Sequence, residues 1–339
     1  MTTGQGQPVG EPLLAVEGLT IDLPGRQPGL VQDVTFEVRK GRAVALIGES
    51  GCGKTLTSMA VLGLLPPAVR VSAGAIRFDG VDLLRCSARQ LRQIRGGPVG
   101  MVFQEPMSSL NPTMTVGDQI AEVRRLHLKE RRSVALRQAR ELLTRVGIPN
   151  ADRRLRSYPH ELSGGMQQRV MIAAAIACEP KLLIADEPTT ALDVTIQAEI
   201  LELLRDLRDS LELAVLLVTH DLGVVADFCD DVVVMYAGHI AERTSVDELF
   251  YRPRHPYSSA LLASVPQSGR ARTKLNVIAG RVPSAGQFPG GCRFEPRCEH
   301  SVESVCRLPQ ADTAVDDGHR TRCGRVASGD LILEGAVRG

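Results

Sequence analysis

A glycine-rich stretch with one lysine separates an apolar run from a helical pattern near the start of the chain. It reads GESGCGKT over residues 48–55 and fits the spacing G-x-x-x-x-G-K-[ST]. Glycines there let backbone N–H groups turn inward around a phosphate, and the following helix adds the positive end of its dipole. The lysine is expected to reach the β- and γ-phosphates of a nucleotide, and the threonine hydroxyl to bind Mg²⁺. The residues predicted to hold the nucleotide are Gly48, Glu49, Ser50, Gly51, Cys52, Gly53, Lys54 and Thr55.

Two adjacent carboxylates end a second apolar run, KLLIADE, about 130 residues further along the chain. The first, Asp186, suits the shell of Mg²⁺ through water, and the second, Glu187, suits the polarisation of an attacking water molecule. Many strands end in an acid, so this motif is weak when it stands alone. Because it follows a phosphate-binding loop, it predicts hydrolysis of the bound nucleotide.

Another helix start carries the residue types of an anion-binding site, a serine hydroxyl followed by two glycine amides. It reads LSGGMQQR over residues 162–169. This stretch resembles the signature motif of the ATP-binding cassette (ABC) family. The resemblance implies that two chains meet head to tail with two ATP molecules between them, and that the signature residues act on the partner's ATP. Those residues are Ser163, Gly164, Gly165 and Gln167.

Three further stretches resemble motifs of the same family and stand in the family's order. VFQEP is similar to the Gln loop, which implies that Gln104 lies near Mg²⁺ and the attacking water. ALD is similar to the D-loop and contributes Asp193, and VTHD is similar to the switch region, which places His220 on the γ-phosphate. The catalytic set implied by the resemblance is Glu187, His220 and Gln104. The resemblance covers roughly residues 12–250.

The adenine contact departs from the family pattern. The family usually stacks an aromatic residue on the base just after the first strand, whereas residues 21–26 read IDLPGR here. Leu23 and Arg26 are the residues left to cover the base, and weak selectivity for adenine is expected.

The elements that position these residues are short apolar runs in alternation with helical patterns. The clearest helices are predicted at Thr55–Leu65 and Ile196–Leu211. The alternation predicts a doubly wound α/β domain with a mostly parallel sheet. The resemblance adds an antiparallel β edge and an inserted helical subdomain at about residues 105–175. The predicted strands are Ala43–Ile47, Val99–Phe103, Leu182–Ala185, Ala214–Thr219 and Asp231–Met235.

Composition restricts the partners and the cellular location that the protein can have. Among 339 residues, 40 are Lys or Arg and 39 are Asp or Glu, a balance that predicts no nucleic-acid partner. No apolar run reaches the ~18 residues of a membrane-spanning helix, and the start lacks a signal-peptide pattern. We expect a cytoplasmic protein that reaches a membrane through partners. Residues 1–11 are expected to be flexible, 12–250 to form the nucleotide-binding domain, and 251–339 a separate C-terminal extension.

Four stretches narrow the branch of the family. GESGCGKT, FQEPMSSLNP, RHPY and CRFEPRC together resemble the oligopeptide/dipeptide/nickel importer ATPases. The resemblance implies an ATP-hydrolysing subunit on the cytoplasmic face of the cell membrane that powers import of oligopeptides or dipeptides. Its partners would be two transmembrane permease subunits, a second ATPase subunit that is often a different chain, and an extracytoplasmic solute-binding protein. Import of nickel or another small solute, and a soluble ABC ATPase acting on ribosomes or DNA, are the alternatives.

A group of cysteines crowds into the last part of the chain with the spacing C-x₅-C-x₇-C-x₁₆-C. Four thiolates suit an iron–sulfur cluster or zinc, and a bound metal could organise a small, proline-rich tail. Some relatives in the peptide-importer branch carry a [4Fe–4S] cluster here, so the resemblance favours a cluster over zinc. Free thiols are the third interpretation. The four residues are Cys292, Cys298, Cys306 and Cys323.

Overall fold

The computed structural model describes residues 11–25, 29–190, 192–264, 278–284, 286–333 and 335, so nearly all of the segment predicted to be flexible lies outside it. The strands are β1 Leu14–Asp22, β2 Val31–Val38, β3 Ala43–Ile47, β4 Arg70–Phe78, β5 Val81–Asp82, β6 Val99–Val102, β7 Leu182–Asp186, β8 Ala214–Thr219, β9 Asp231–Tyr236, β10 His239–Ser245, β11 Thr313–Asp316 and β12 His319–Thr321. The helices are α1 Lys54–Val61, α2 Ala88–Ile94, α3 Pro106–Ser109, α4 Val116–Leu128, α5 Arg132–Arg145, α6 Ala151–Arg154, α7 Gly164–Ala175, α8 Val194–Leu211, α9 Leu222–Phe228, α10 Val246–Tyr251, α11 Pro256–Ala263, α12 Glu303–Cys306 and α13 Gly324–Ala327. Single 3₁₀ turns cover Leu83–Arg85, Pro159–Glu161 and Glu295–Arg297.

An eight-stranded sheet in the order β11-β12-β10-β9-β3-β8-β7-β6 carries the functional loops. The strands from β9 to β6 run parallel, and β10, β12 and β11 continue the sheet in antiparallel pairs. The three strands β3, β7 and β8 are buried along their whole length. Alternate side chains of β8 enter different cores, Val215 and Leu217 one, Leu216 and Val218 the other, which explains these unbroken apolar runs. Each predicted strand ends within one residue of its predicted limits.

A second, four-stranded sheet lies beside the first in the order β2-β1-β4-β5, with antiparallel pairing throughout. Its inward residues, among them Leu19, Phe36 and Ile76, share one core with Leu46 of β3 and Val233 of β9. This sheet is the antiparallel edge that the resemblance implied. With the parallel sheet it confirms the predicted α/β fold class.

The chain between β6 and β7 forms only helices, α3 to α7. Ile120 of α4, Leu143 of α5 and Ile172 of α7 are fully buried in a core that these helices share with the main sheet. Thr115 caps α4 by accepting a hydrogen bond from the Asp118 amide, so the helix starts at a defined residue. This helical insert positions the signature stretch at the start of α7.

The C-terminal segment adds two strands to the main sheet. β12 pairs with β10, and β11 covers β12 in turn. At this junction His319 Nε2 lies 2.8 Å from Glu242 Oε1, and both side chains are buried. Tyr257 and Phe294 share a core with Val234 of β9. The predicted boundary at residue 250 stays a prediction, and the sheet runs across it.

No helix within the described ranges is both long enough and apolar enough to cross a membrane.

Candidate active site

The phosphate loop joins β3 to α1, and two of its glycines occupy positions that exclude a side chain. Gly48 has a φ of 144°, and a Cβ there would lie 2.1 Å from the carbonyl oxygen of Met235. Gly53 has a φ of 105°, and its Cβ would lie 2.8 Å from a methyl group of Val31. The loop therefore packs directly against β9 and β2, which holds its backbone in one shape.

Lys54 is held inside the loop. Its Nζ donates hydrogen bonds to the carbonyl oxygens of Gly48, at 2.6 Å, and Glu49, at 3.2 Å. Burial raises the pKa of the Cys52 thiol, although the charge of Lys54 acts to lower it. A buried, neutral thiol is unreactive, so Cys52 contributes to the loop through its backbone.

Asp186 ends β7 next to the phosphate loop and is only 3% exposed. Burial raises the pKa of its carboxyl group, a hydrogen bond with Thr55 acts against this, and the neighbouring charge of Glu187 adds to it. Its Oδ1 is buried and has no hydrogen-bond partner. A buried carboxylate with a free oxygen beside a hydroxyl is the donor set that suits Mg²⁺.

Glu187 follows with a φ of 47°, an unusual backbone conformation for a residue other than glycine. Its Oε2 accepts hydrogen bonds from Gln104 Nε2 at 3.0 Å and Thr190 Oγ1 at 2.8 Å, and its Oε1 lies 3.1 Å from His220 Nδ1. Burial acts to raise the pKa of Glu187, but the contacts with Thr190 and His220 outweigh it and lower the pKa below its ordinary value. The structure thus brings the three predicted catalytic side chains into direct contact.

A cavity of about 440 Å³ connects the phosphate loop with these three side chains. This volume is in the range of small-molecule sites. It lies at the carboxyl ends of the parallel strands, where open α/β sheets bind ligands. A larger groove of about 840 Å³ lies at the opposite ends of the strands, where Arg42 and Asp231, among other charged residues, neutralise each other.

The signature residues lie away from this cavity. Ser163 caps α7 by accepting a hydrogen bond from the Met166 amide, and it is exposed together with Gly164. A Cβ on Gly164 would meet open space, whereas one on Gly165 would lie 2.8 Å from Ile196 of α8. The exposed start of α7 therefore faces outward.

Gln167 and Asp193 act on the backbone near these exposed residues. Gln167 is buried, and its Nε2 donates to the carbonyl oxygens of Pro159, at 2.9 Å, and Leu162, at 3.1 Å. Asp193 is exposed and caps α8 by accepting a hydrogen bond from the Ile196 amide at 2.9 Å. The predicted contacts of both residues with the partner's nucleotide stay predictions.

The predicted adenine contacts are not brought to the cavity in the described part of the chain. Leu23 is half-buried after β1 and is not among the described residues that line the 440 Å³ cavity. Arg26 lies outside the described residues.

The four tail cysteines surround one small cavity of about 10 Å³ in the C-terminal extension. Burial raises the pKa of Cys292 to about 12 and that of Cys298 to about 11. Among the residues that the structure describes, no group of three or more His, Cys, Asp or Glu is placed to hold a metal ion. The four cysteine side chains therefore converge on one point of the extension.

Several side chains at the site were not predicted from the sequence. Thr190 holds Glu187, and Leu222 and Leu261 line the cavity. Thr190 could have been found, since a hydroxyl three residues after a catalytic acid is within its reach. Leu261 comes from the C-terminal extension, and no local pattern connects it with the phosphate loop.

The phosphate loop, the acid pair after β7 and the exposed signature helix together define an ATPase of the ATP-binding cassette class. Residues 31–190 match the ABC transporter family, and residues 241–306 match the oligopeptide/dipeptide transporter C-terminal region. The chain belongs to the ABC transporter family, in the branch that carries this C-terminal region, which confirms the predicted membership.

The relatives match along nearly the whole chain. The dipeptide transport ATP-binding protein DppD of Bacillus subtilis is 45% identical over 316 residues, which are 92% of this chain and 94% of the relative. A putative peptide import ATP-binding protein of Brucella abortus is 49% identical over 327 residues, covering 92% and 97%.

Two solved structures share the cassette fold. The ATP-binding cassette MJ0796, in a dimeric post-hydrolysis state bound to ADP and phosphate, aligns with a TM-score of 0.62 at 25% identity and covers 69% of this chain and 98% of its own. CbiO1 from Clostridium perfringens, part of the ABC transporter complex CbiONQ, aligns with a TM-score of 0.60 at 28% identity, covering 71% and 91%.

Proposed function

We propose that this protein hydrolyses ATP to power the import of oligopeptides or dipeptides through a membrane permease complex. The observation that carries the proposal is the meeting of Gln104, Glu187 and His220 beside the phosphate loop. The names of the relatives and the C-terminal match support peptides as the cargo. Nickel or another small solute is the alternative cargo.

In the proposed reaction the loop at residues 48–55 binds the phosphates of ATP. Lys54 exchanges its bonds with the loop carbonyls for the β- and γ-phosphate oxygens, and the start of α1 adds backbone N–H groups. Glu187 orients a water molecule and takes its proton as the oxygen bonds to the γ-phosphorus. The bond from the γ-phosphorus to the ADP oxygen breaks, while His220 contacts the γ-phosphate and Gln104 keeps Glu187 and the water aligned.

The site fits Mg²⁺, with Thr55, Gln104 and Asp186 as the residues that would hold it. The fit rests on the buried, unpaired Oδ1 of Asp186 beside the Thr55 hydroxyl. When bound, Mg²⁺ offsets the negative charge of the β- and γ-phosphate oxygens.

The outward-facing start of α7 supports an assembly of two ATPase subunits. Ser163, Gly164 and Gly165 would bind the γ-phosphate of ATP held by a second, related chain, with Asp193 near the same contact. Gln167 would shape this surface from beneath. Closure around two ATP molecules and reopening after hydrolysis would move the attached permease.

The wider assembly follows from this role. We infer two transmembrane permease subunits, an extracytoplasmic solute-binding protein, and a location on the cytoplasmic face of the cell membrane. Membership of the ABC transporter family supports these partners. We also infer that the protein has no nucleic-acid partner, because its basic and acidic residues nearly balance in number.

Convergence of the tail cysteines supports a [4Fe–4S] cluster as a resident cofactor. The four cysteines line one cavity in the extension, and four thiolates suit an iron–sulfur cluster, with zinc as the alternative. Anaerobically purified protein should contain iron and sulfide and absorb visible light. Cys298→Ser should lose the iron and Cys86→Ser should keep it, and a colourless, iron-free wild type would reject the cluster.

Uptake in cells tests the proposed function. A strain that lacks this gene should regain uptake of labelled dipeptides and oligopeptides with the wild-type chain, but not with Lys54→Ala. Arg307→Gln, a surface change in the extension, is the control and should restore uptake. Restored uptake of nickel but not of peptides would favour the alternative cargo. Recovery of the protein on ribosomes instead of with permease subunits would reject a role in transport.

A further inference from the structure

The C-terminal extension contacts the phosphate loop through one buried arginine. Arg297 lies in the 3₁₀ turn Glu295–Arg297, and its guanidinium binds both carboxylate oxygens of Glu49, at 2.7 and 3.1 Å. The Arg297 side chain is 4% exposed, and that of Glu49 is 29% exposed. Two parallel hydrogen bonds between a buried guanidinium and a carboxylate fix both position and orientation.

Arg297 is itself fixed on its other sides. Its Nε donates to the carbonyl oxygen of Ala279 at 2.8 Å, and its Nη2 also donates to that of Ile278 at 3.2 Å. Its Nη1 donates to the Tyr236 hydroxyl at 3.2 Å. Because its donors are engaged in this way, the guanidinium has little freedom to follow a moving loop.

A second residue of the extension holds the same point of the loop. The backbone N–H of Glu49 donates to the hydroxyl of Tyr257 at 2.8 Å. Tyr257 is fully buried, and its ring packs against Tyr236, with centroids 4.6 Å apart, and Phe294, with centroids 5.3 Å apart. The hydroxyl is therefore carried by a rigid aromatic group, not by a mobile side chain.

Glu49 connects these two contacts to the lysine that meets the nucleotide. Its carboxylate binds Arg297, its N–H binds Tyr257, and its carbonyl oxygen accepts a hydrogen bond from Lys54 Nζ at 3.2 Å. The mechanism above uses the loop backbone and Lys54, but it assigns no role to the Glu49 side chain.

We propose that Arg297 and Tyr257 are positioning residues of the nucleotide site, through which the C-terminal extension sets the affinity for ATP. They hold the backbone of Glu49, and through it Lys54, in the shape that receives the phosphates. The inference rests on the proposed ATP site and adds to it a dependence on a segment outside the cassette motifs.

The expected effect is on ATP binding more than on the chemical step. Arg297→Gln removes the paired charge-assisted bonds, so the KM and Kd for ATP should rise about tenfold. The kcat should change less than about threefold, because Glu187, Gln104 and His220 keep their own contacts. Tyr257→Phe keeps the ring and its packing, and should raise both constants by a smaller factor of about three.

The test measures equilibrium binding of ATP, steady-state KM and kcat, and thermal unfolding for the full-length chain. Arg307→Gln removes an arginine of the same extension that forms only an exposed pair with Glu303, and it should match wild type. Arg297→Lys keeps the charge without the fork and should recover only part of the affinity. The double variant Glu49→Gln with Arg297→Gln should bind ATP no more weakly than the weaker single variant, since both remove one contact.

If Arg297→Gln and Tyr257→Phe both fold and keep the wild-type Kd and KM for ATP, the inference is overturned. The proposed function still stands in that case, provided that the wild-type protein hydrolyses ATP. A loss of kcat with unchanged KM would overturn it as well. Wild-type protein that fails to bind ATP would overturn the proposed function and this inference together.

Discussion

Replacing Gly48 by alanine tests whether contact with β9 sets the shape of the phosphate loop. The new Cβ would lie 2.1 Å from the Met235 carbonyl oxygen and 2.9 Å from Cys52 Sγ. A carbon and an oxygen need about 3.0 Å or more, so the loop must move by roughly 1 Å, because Met235 is fixed in a buried strand of the main sheet. A displacement of about 1 Å can cost about 100-fold where several groups must meet one ligand. We therefore expect the Kd for ATP to rise about 100-fold in Gly48→Ala.

Gly51→Ala provides the matched control in the same loop. Gly51 also has a positive φ, of 79°, but a Cβ there would have no atom within 4 Å. Alanine at such a φ costs about 1–2 kcal/mol of stability without a clash. The assay is equilibrium binding of ATP, with thermal unfolding to establish that both variants are folded. A Kd for Gly48→Ala within threefold of that for Gly51→Ala would refute the reasoning.

Three other changes test separate parts of the site. Glu187→Gln keeps the size of the side chain and should lower kcat about 10²–10⁴-fold with ATP binding retained; unchanged phosphate release would remove Glu187 from the mechanism. Because burial raises the pKa of Asp186, the folded state holds that proton more tightly than the unfolded state, and nucleotide-free wild type should lose stability as pH rises through the raised pKa. Asp186→Asn should therefore melt above wild type by a margin that grows as the pH rises from about 4, the ordinary pKa of an aspartate, through the raised pKa, and a margin independent of pH would contradict this. Gln167→Ala should destabilise the protein by about 1–3 kcal/mol in urea unfolding, because the carbonyl oxygens of Pro159 and Leu162 lose their donor, and an unchanged midpoint would show that these bonds contribute nothing.

Local patterns were sufficient for the five parallel strands of the main sheet, but not for β10, β11 and β12. The strands β3 and β8 are unbroken apolar runs, so their limits follow from the sequence alone. The resemblance to the ABC family implied the meeting of Gln104, Glu187 and His220, and the fold explains it, since each comes after a strand of one parallel sheet and the carboxyl ends of such strands share an edge.

Contacts between residues far apart in the chain could not be predicted from the sequence. Glu49 and Arg297 are 248 residues apart, and no periodicity selects one partner among many arginines. The burial of the Gln167 side chain could not be predicted either, because a residue near a helix start can face the core or the solvent, depending on how the helix packs. The end of α1 at Val61, short of the predicted Leu65, reflects a turn in which Gly63 has a φ of 61°.

The pairing of β12 with β10 has a consequence for engineering. A chain cut after residue 250 would lack β12 and present the bare hydrogen-bonding edge of β10 to other molecules. The shortened chain would also lack His319, which contacts the buried side chain of Glu242. We therefore expect a shortened chain of this kind to self-associate and misfold, which would obscure any measurement on the isolated cassette.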